Sequence, residues 1–147
     1  MRGVTTRLSA AVTALCWLGA CDNRPTPAGP DVVLITVDTL RADRLGFAGH
    51  GGAATPVMDA LAARGRVFTQ ATTPLPRTTP ALASLLTGLA PARHGSIEVG
   101  TPIHPHLTSL ATRLHAAGWH TVAVSGSAVA GPEQGLDRGF DRFDLME

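Results

Sequence analysis

The sequence contains no lysine, and all 12 of its basic residues are arginine. The chain therefore cannot form a lysine Schiff base or a phosphate-binding loop of the kind that needs a lysine. Excess positive charge is also lacking, because 11 acidic residues bring the formal net charge to +1. Nucleic-acid-binding domains usually present a basic face, so this balance argues against a nucleic-acid partner. With only two cysteines, no disulfide framework is predicted.

Residues 1–20 are typical of a bacterial lipoprotein signal peptide. Two arginines precede an uncharged run of 13 residues, whereas a membrane-spanning helix needs about 20. The run ends in Leu18-Gly19-Ala20-Cys21, which resembles the lipobox, where cleavage precedes a cysteine that then carries diacylglycerol. This pattern predicts lipidation at Cys21, a Pro-rich tether over residues 21–30, and a lipid anchor in the bacterial cell envelope, on its periplasmic or extracellular face. An ordinary signal peptide with a chance cysteine is the alternative interpretation.

The rest of the chain has the composition of one globular domain, with 44% hydrophobic and 16% charged residues over the whole sequence. Residues 32–37 are a continuous, mostly β-branched run, which predicts a strand buried on both faces. Shorter strands are predicted over residues 67–71 and 120–125. Helices are predicted between these strands, so we expect an α/β fold with a mostly parallel sheet flanked by helices.

Two of the predicted helices begin with the same local signal. Thr55-Pro56 and Thr79-Pro80 each place a hydroxyl cap before a proline at the first helical position, and glycines at 65 and 88 end the helices. A third helix is predicted over about 107–117. The apolar residues expected to face the core are Val57, Met58, Leu61 and Ala62 in the first helix, Leu82, Leu85 and Leu86 in the second, and Leu107, Leu110 and Leu114 in the third.

Three polar residues are candidates for chemistry. Asp38 directly follows the first predicted strand, and in open α/β sheets ligands gather beyond the carboxyl ends of strands. It is a metal ligand, a base or simply a cap for the next turn. Thr78 precedes a helix N-terminus that favours anions, and its hydroxyl is a candidate nucleophile for a phosphoryl or sulfuryl centre, or merely part of the helix start. Arg77 is the cation next to it and a candidate contact for an anionic substrate.

Several blocks of sequence carry a family resemblance. They are DVVLITVDTLRAD at 31–43, TPVMDALA at 55–62, ASLLTG at 83–88 followed by RHG at 93–95, and GLDRGFD at 135–141. In this order and spacing they resemble the N-terminal part of the sulfatase branch of the alkaline phosphatase superfamily. The resemblance covers nearly all of residues 31–147. It implies the fold of that superfamily, hydrolysis of sulfuric or phosphoric esters, and an anionic ester substrate.

The resemblance also assigns roles to two of the candidate residues. Asp38 corresponds to a ligand of a divalent metal ion, and Thr78 corresponds to the nucleophile, whose oxygen also binds that metal. The identity of the metal (Ca, Mg, Mn or Zn) stays open. Sulfatases carry Cys or Ser at the nucleophile and oxidise it to formylglycine, but oxidation of a threonine β-carbon gives a ketone. A threonine resembles the phosphodiesterase and phosphotransferase members instead, so phosphate esters are predicted as well as sulfate esters.

Three further positions depart from the family pattern. Leu82 stands where an arginine usually clamps the anion, Thr39 replaces a second aspartate, and the expected lysine falls near Ser127. The family's second set of metal ligands comes from a C-terminal part that is not in this sequence. A non-catalytic, truncated lipoprotein remnant is therefore the alternative to a metallohydrolase.

Overall fold

The computed structural model describes Pro27 and residues 29–146. Within these residues the chain forms helices and a two-stranded parallel sheet, which confirms the predicted α/β class. The predicted signal peptide over residues 1–20 and Cys21 lie outside the described residues. The helices are α1 (Pro56–Arg64), α2 (Thr78–Thr87), α3 (Pro91–His94) and α4 (Leu110–Ala116), the strands are β1 (Val122–Ser125) and β2 (Arg142–Leu145), and short 3-10 turns cover Ala42–Arg44, Gly46–Ala48 and Pro132–Gln134.

Helix α1 begins and ends where the sequence predicts, with Pro56 as its first residue and Gly65 after its last. The Thr55 hydroxyl accepts a hydrogen bond from the Gly46 N–H (3.0 Å) and donates one to Asp59 (3.1 Å), which ties the helix to the preceding 3-10 turn. The predicted burial of the apolar stripe is wrong at Val57 and Leu61, which are both exposed. This follows because the short turn at 46–48, and not the core, is the element that α1 contacts most.

Helix α2 has the predicted glycine stop, but its start and its buried face differ from the prediction. It begins at Thr78 after Arg77 and has no side-chain cap, so the predicted hydroxyl cap at Thr79 is wrong. Gly88 ends the helix at a φ of 70°, in the left-handed region that suits glycine. The fully enclosed side chains are Thr79, Pro80 and Ala83, whereas Leu85 of the predicted face is half exposed. Ala83 belongs to a small core with Ile103, Ala130 and Leu136, and the partly buried Leu82, Leu86 and Leu107 pack around it.

The predicted third helix is shorter than expected. Ser109 caps α4 by accepting the Thr112 N–H (3.0 Å), and it donates to the Arg138 carbonyl oxygen (2.8 Å), so residues 107–109 stay outside the helix. Strand β1 confirms the predicted strand in its last four residues, Val122–Ser125. It pairs in parallel with β2, which the sequence analysis did not predict, with Val122 opposite Arg142.

Residues 31–37 do not form the predicted buried strand. No ladder in the described chain includes them, and Val33 and Ile35 are 80% and 77% exposed. A strand buried on both faces needs a layer on each side. Here an open cavity of about 470 Å³ lies between this segment and the residues of α2, α4 and β1. The short strand predicted over 67–71 is also wrong, because those residues are exposed and run into a turn.

Candidate active site

Asp38 and Thr78, the two residues predicted to share a metal ion, lie in direct contact. The Thr78 hydroxyl donates a hydrogen bond of 2.8 Å to Oδ2 of Asp38, across 40 residues of sequence. The other carboxylate oxygen, Oδ1, accepts the Thr39 N–H at 2.8 Å. Thr39 has a φ of 58°, an uncommon conformation for a side chain that branches at Cβ. The chain thus makes a sharp turn directly after Asp38, and this turn aims the carboxylate at the start of α2.

Thr79 fixes the start of α2 and with it the position of Thr78. Its side chain is fully buried, donates a hydrogen bond of 2.7 Å to the Val129 carbonyl oxygen and accepts one of 2.8 Å from the Gly100 N–H. These two bonds hold the first turn of α2 against two separate loops. Thr78 precedes it in the helix and is only half-buried, so its hydroxyl stays accessible.

A cavity of about 620 Å³ opens in front of these two residues. Among the described residues that line it, Asp38 is the single carboxylate and Arg77 the single cation, and threonines supply the other polar side chains. Leu82, at the position of the family's arginine, contributes an apolar wall and no charge. The lining residues are Thr36, Val37, Asp38, Thr39, Leu40, Thr73, Pro76, Arg77, Thr78, Ala81, Leu82 and Val99.

Arg77 lies at this cavity as predicted, but its guanidinium is paired. Nη1 of Arg77 forms an ion pair with Oε2 of Glu98, and both side chains are partly exposed. The sequence analysis missed Glu98, because an isolated acid between apolar residues gives no local signal of a partner 21 positions away. Arg41 pairs with Asp43 at 2.6 Å on the surface, within the loop after Asp38.

His94 is a buried structural residue. Its Nδ1 accepts the Ser96 N–H (3.2 Å), which fixes the neutral tautomer with the proton on Nε2, and Nε2 then donates to the Ser84 hydroxyl (2.9 Å). Burial, followed by the nearby charge of His104, lowers the pKa of His94 below its ordinary value. The ring therefore joins α2 to α3 as a neutral hydrogen-bonding group.

Four of the five other histidines, which lie after His94 in the sequence, do not line the cavity. His104 and His106 are exposed in a loop. His115 and His120 place their Nδ1 atoms 3.2 Å from the two carboxylate oxygens of Asp141, at the junction of α4 with the sheet. None of these four rings belongs to the candidate site.

Two oxygen atoms of the described residues could serve as ligands of one metal ion. Oδ2 of Asp38 and Oγ1 of Thr78 are oxygen donors 2.8 Å apart, a separation that fits two neighbouring ligands of one hard cation. Ca²⁺ and Mg²⁺ take about six or more oxygens, so these two atoms supply a minority of the coordination shell. In the part of the chain that the structure describes, no cluster of three or more His, Cys, Asp or Glu residues could hold a metal ion.

No helix in the described part of the chain is long and apolar enough to cross a membrane. The predicted anchor residue Cys21 lies outside that part. Lipidation at this position remains a prediction from the sequence.

Known proteins resemble this chain in sequence and in fold. The sulfatase family profile matches residues 30–145. The chain is 35% identical to an arylsulfatase of Clostridium perfringens over 73% of its length, 36% identical to arylsulfatase A of Homo sapiens over 74%, and 40% identical to an ulvan-active sulfatase of Formosa agariphila over 86%. These matches span 22%, 24% and 26% of the relatives, so the chain covers about a quarter of their length.

One solved structure supports the same assignment. The crystal structure of a phosphonate monoester hydrolase of Agrobacterium radiobacter aligns with a TM-score of 0.64 and 27% sequence identity, over 76% of this chain and 25% of that one. This alignment gives the described residues the α/β fold of the alkaline phosphatase superfamily. The chain belongs to the sulfatase family.

Proposed function

We propose that this chain carries the nucleophile half of a metallohydrolase that cleaves sulfate, phosphate or phosphonate esters. The contact between Thr78 and Asp38 supports this proposal most directly, because it joins a hydroxyl and a carboxylate at the mouth of a cavity. The same cavity lies at the N-terminus of the ten-residue helix α2, where the helix dipole and backbone N–H groups favour an anion.

Thr78 is proposed to attack the sulfur or phosphorus atom of the ester. Its Oγ1 forms a new bond to that atom, the bond to the leaving alcohol breaks, and the alcohol departs with a proton. A water molecule then hydrolyses the ester on Thr78 and restores the hydroxyl. Asp38 accepts the hydrogen bond of the Thr78 hydroxyl and so orients the attacking oxygen.

Asp38 and Thr78 would also hold the divalent metal ion, together with ligands beyond the described residues. Such an ion would make the hydroxyl more acidic and offset the charge that develops on the ester oxygens. Two named relatives act on different groups: arylsulfatases on sulfate esters and the structural neighbour on phosphonate monoesters. A threonine cannot be converted to formylglycine, which favours phosphate or phosphonate esters for this chain.

Hydrolysis of three chromogenic esters tests the proposal. They are 4-nitrophenyl sulfate, bis(4-nitrophenyl) phosphate and 4-nitrophenyl phenylphosphonate, each assayed after chelation and readdition of Ca²⁺, Mg²⁺, Mn²⁺ or Zn²⁺. Thr78→Ala is expected to reduce kcat by at least about a thousandfold, because it removes the nucleophile. Thr78→Ser keeps a hydroxyl and should retain measurable turnover.

Thr87→Ala is the matched control, since Thr87 lies at the other end of the same helix and contacts the Ala83 carbonyl oxygen. It should keep most of the activity. Equal rates for Thr78→Ala and wild type would remove Thr78 from the mechanism. No turnover of any ester with any of the four ions, by this chain or by a longer form of it, would favour the non-catalytic remnant.

We also propose that the protein is anchored to the bacterial envelope through a lipid on Cys21. The lipobox-like residues 18–21 support this proposal. Metabolic labelling with a fatty-acid analogue should mark the wild-type protein in the membrane fraction, and Cys21→Ser should abolish the label. A labelled Cys21→Ser protein would place the lipid elsewhere.

A further inference from the structure

An ion pair lies at the rim of the cavity, next to the proposed nucleophile. Arg77 immediately precedes Thr78, and its guanidinium contacts the carboxylate of Glu98. Arg77 lines the cavity. Glu98 does not line it but lies at its edge, next to the lining residue Val99. The side chains of Arg77 and Glu98 are 45% and 62% exposed, so water reaches both partners.

The backbone holds Glu98 in this position. Its carbonyl oxygen accepts the Thr101 N–H at 3.1 Å, which closes a tight turn over residues 98–101. Inside that turn the Gly100 N–H donates to Oγ1 of the buried Thr79, the residue that also anchors α2. The turn that carries Glu98 and the helix start that carries Arg77 are therefore fixed to each other through Thr79.

This pairing changes the charge that an anion meets. Arg77 is the single cationic side chain among the described residues that line the cavity, and Glu98 neutralises it. Asp38 then leaves the described part of the cavity with an excess of negative charge. Leu82 adds no positive charge on the opposite wall. Among the described side chains, an anionic group gains a full positive charge here by taking the guanidinium away from Glu98.

We infer that Glu98 is a positioning residue that competes with the anionic group of the substrate for Arg77. When no anion is bound, the carboxylate holds the guanidinium at the rim. A sulfate or phosphate group that enters the cavity displaces Glu98 and pairs with Arg77 in its place. Because the ion pair is exposed, its displacement costs little, and binding stays reversible. This inference rests on the proposed function, since it takes the cavity in front of Thr78 as the substrate site.

Binding of inorganic sulfate and inorganic phosphate, measured by calorimetry without turnover, tests the competition. Glu98→Gln keeps the size of the side chain but removes its charge, and should tighten binding about twofold to fivefold, the range that an exposed ion pair gives. Arg77→Gln should weaken binding. In the double variant the benefit of Glu98→Gln should vanish, because the competed cation is gone. Raising the salt concentration should shrink the difference between Glu98→Gln and wild type.

Glu133→Gln controls for net charge, since Glu133 is an exposed glutamate in the 3-10 turn at 132–134, remote in sequence from this rim. It should bind both anions as wild type does. With an ester that the protein hydrolyses, Glu98→Gln should lower KM by the same factor as it tightens anion binding, and should leave kcat within about twofold of the wild-type value. This split distinguishes competition for the substrate from a structural effect, which would lower kcat as well.

Three results would overturn the inference. They are weaker or unchanged anion binding by Glu98→Gln, an equal gain from Glu98→Gln in the Arg77→Gln background, and no anion binding by any variant. Failure of the proposed function gives a different pattern. In that case the binding differences persist while Thr78→Ala has no effect on any reaction rate.

Discussion

Replacement of Thr79 by valine tests whether Thr79 stabilises the site while its neighbour Thr78 performs the proposed chemistry. Valine has nearly the shape of threonine but carries a methyl group in place of the hydroxyl. Thr79→Val therefore leaves the packing of this fully buried side chain in place and removes two hydrogen bonds, to the Val129 carbonyl oxygen and from the Gly100 N–H. Both backbone groups lose their partner inside the fold.

The expected loss follows from those two bonds. A buried backbone group left without a partner costs about 1–3 kcal/mol. Val129 and Gly100 are themselves only half-buried, so water replaces part of each bond and the low end of the range applies. We expect Thr79→Val to lower the free energy of unfolding by about 2–4 kcal/mol. Thr78→Val removes one accessible hydrogen bond to Asp38 and should cost at most about 1 kcal/mol.

Urea unfolding followed by circular dichroism measures both values under the same conditions. Thr79→Ser is the control, because it restores the hydroxyl and should recover most of the stability. The ranking should reverse in an activity assay at low temperature, where folded Thr79→Val retains turnover and Thr78→Val does not. If the two valine variants differ by less than about 0.5 kcal/mol, the buried hydroxyl does not anchor α2.

Three further changes have defined outcomes. Gly139→Ala should destabilise the fold by more than about 3 kcal/mol, because the new Cβ overlaps the backbone of Thr112 in the first turn of α4. The control Gly100→Ala has a similar positive φ but open space around the new Cβ, and should cost about 1 kcal/mol. Burial lowers the folded-state pKa of His94 below the ordinary 6.5. Its contribution to stability should therefore be complete above about pH 6.5 and fall as the pH drops below that value. His94→Gln should make the free energy of unfolding in urea less dependent on pH in this range. Asp141→Ala should lower the midpoint of urea unfolding, because it removes the acceptor of two hydrogen bonds from Thr121, the residue before β1. The control Asp144→Ala breaks a surface ion pair with Arg142 and should change the free energy of unfolding by less than about 0.5 kcal/mol.

Local signals in the sequence predicted the elements that local chemistry determines. The prolines at 56 and 80 and the glycines after both helices mark the helix ends within one turn. The predicted hydroxyl caps are wrong, because Thr55 and Thr79 do not cap their helices and instead bond to other parts of the fold. Residues 122–125 of the run from 120 to 125 also form a strand. In contrast, residues 31–37 have strong strand composition but form no ladder in the described chain, because strand formation depends on partners that composition does not reveal. Strand β2 was missed for the same reason: its charged sequence forms a strand only beside β1.

The candidate site shows the same division. The family pattern identified Asp38 and Thr78, and the structure places their oxygens in contact. The pairing of Arg77 with Glu98 depends on the turn over residues 98–101, which Thr79 holds through the Gly100 N–H. The spacing of these residues in the sequence does not predict that they meet. His94 lies in the family block at 93–95, and its hydrogen bonds to Ser84 and Ser96 show its structural role.

The contact between Asp38 and Thr78 closes a loop of 40 residues with a single hydrogen bond. Bringing the ends of a flexible chain of that length together costs about 3 kcal/mol of entropy, roughly three times what one accessible hydrogen bond returns. The order of the intervening segment must supply the difference, including the bonds that tie α1 to the turn at 46–48. Changes over residues 41–72, which do not line the cavity, should therefore weaken catalysis by separating the two oxygens.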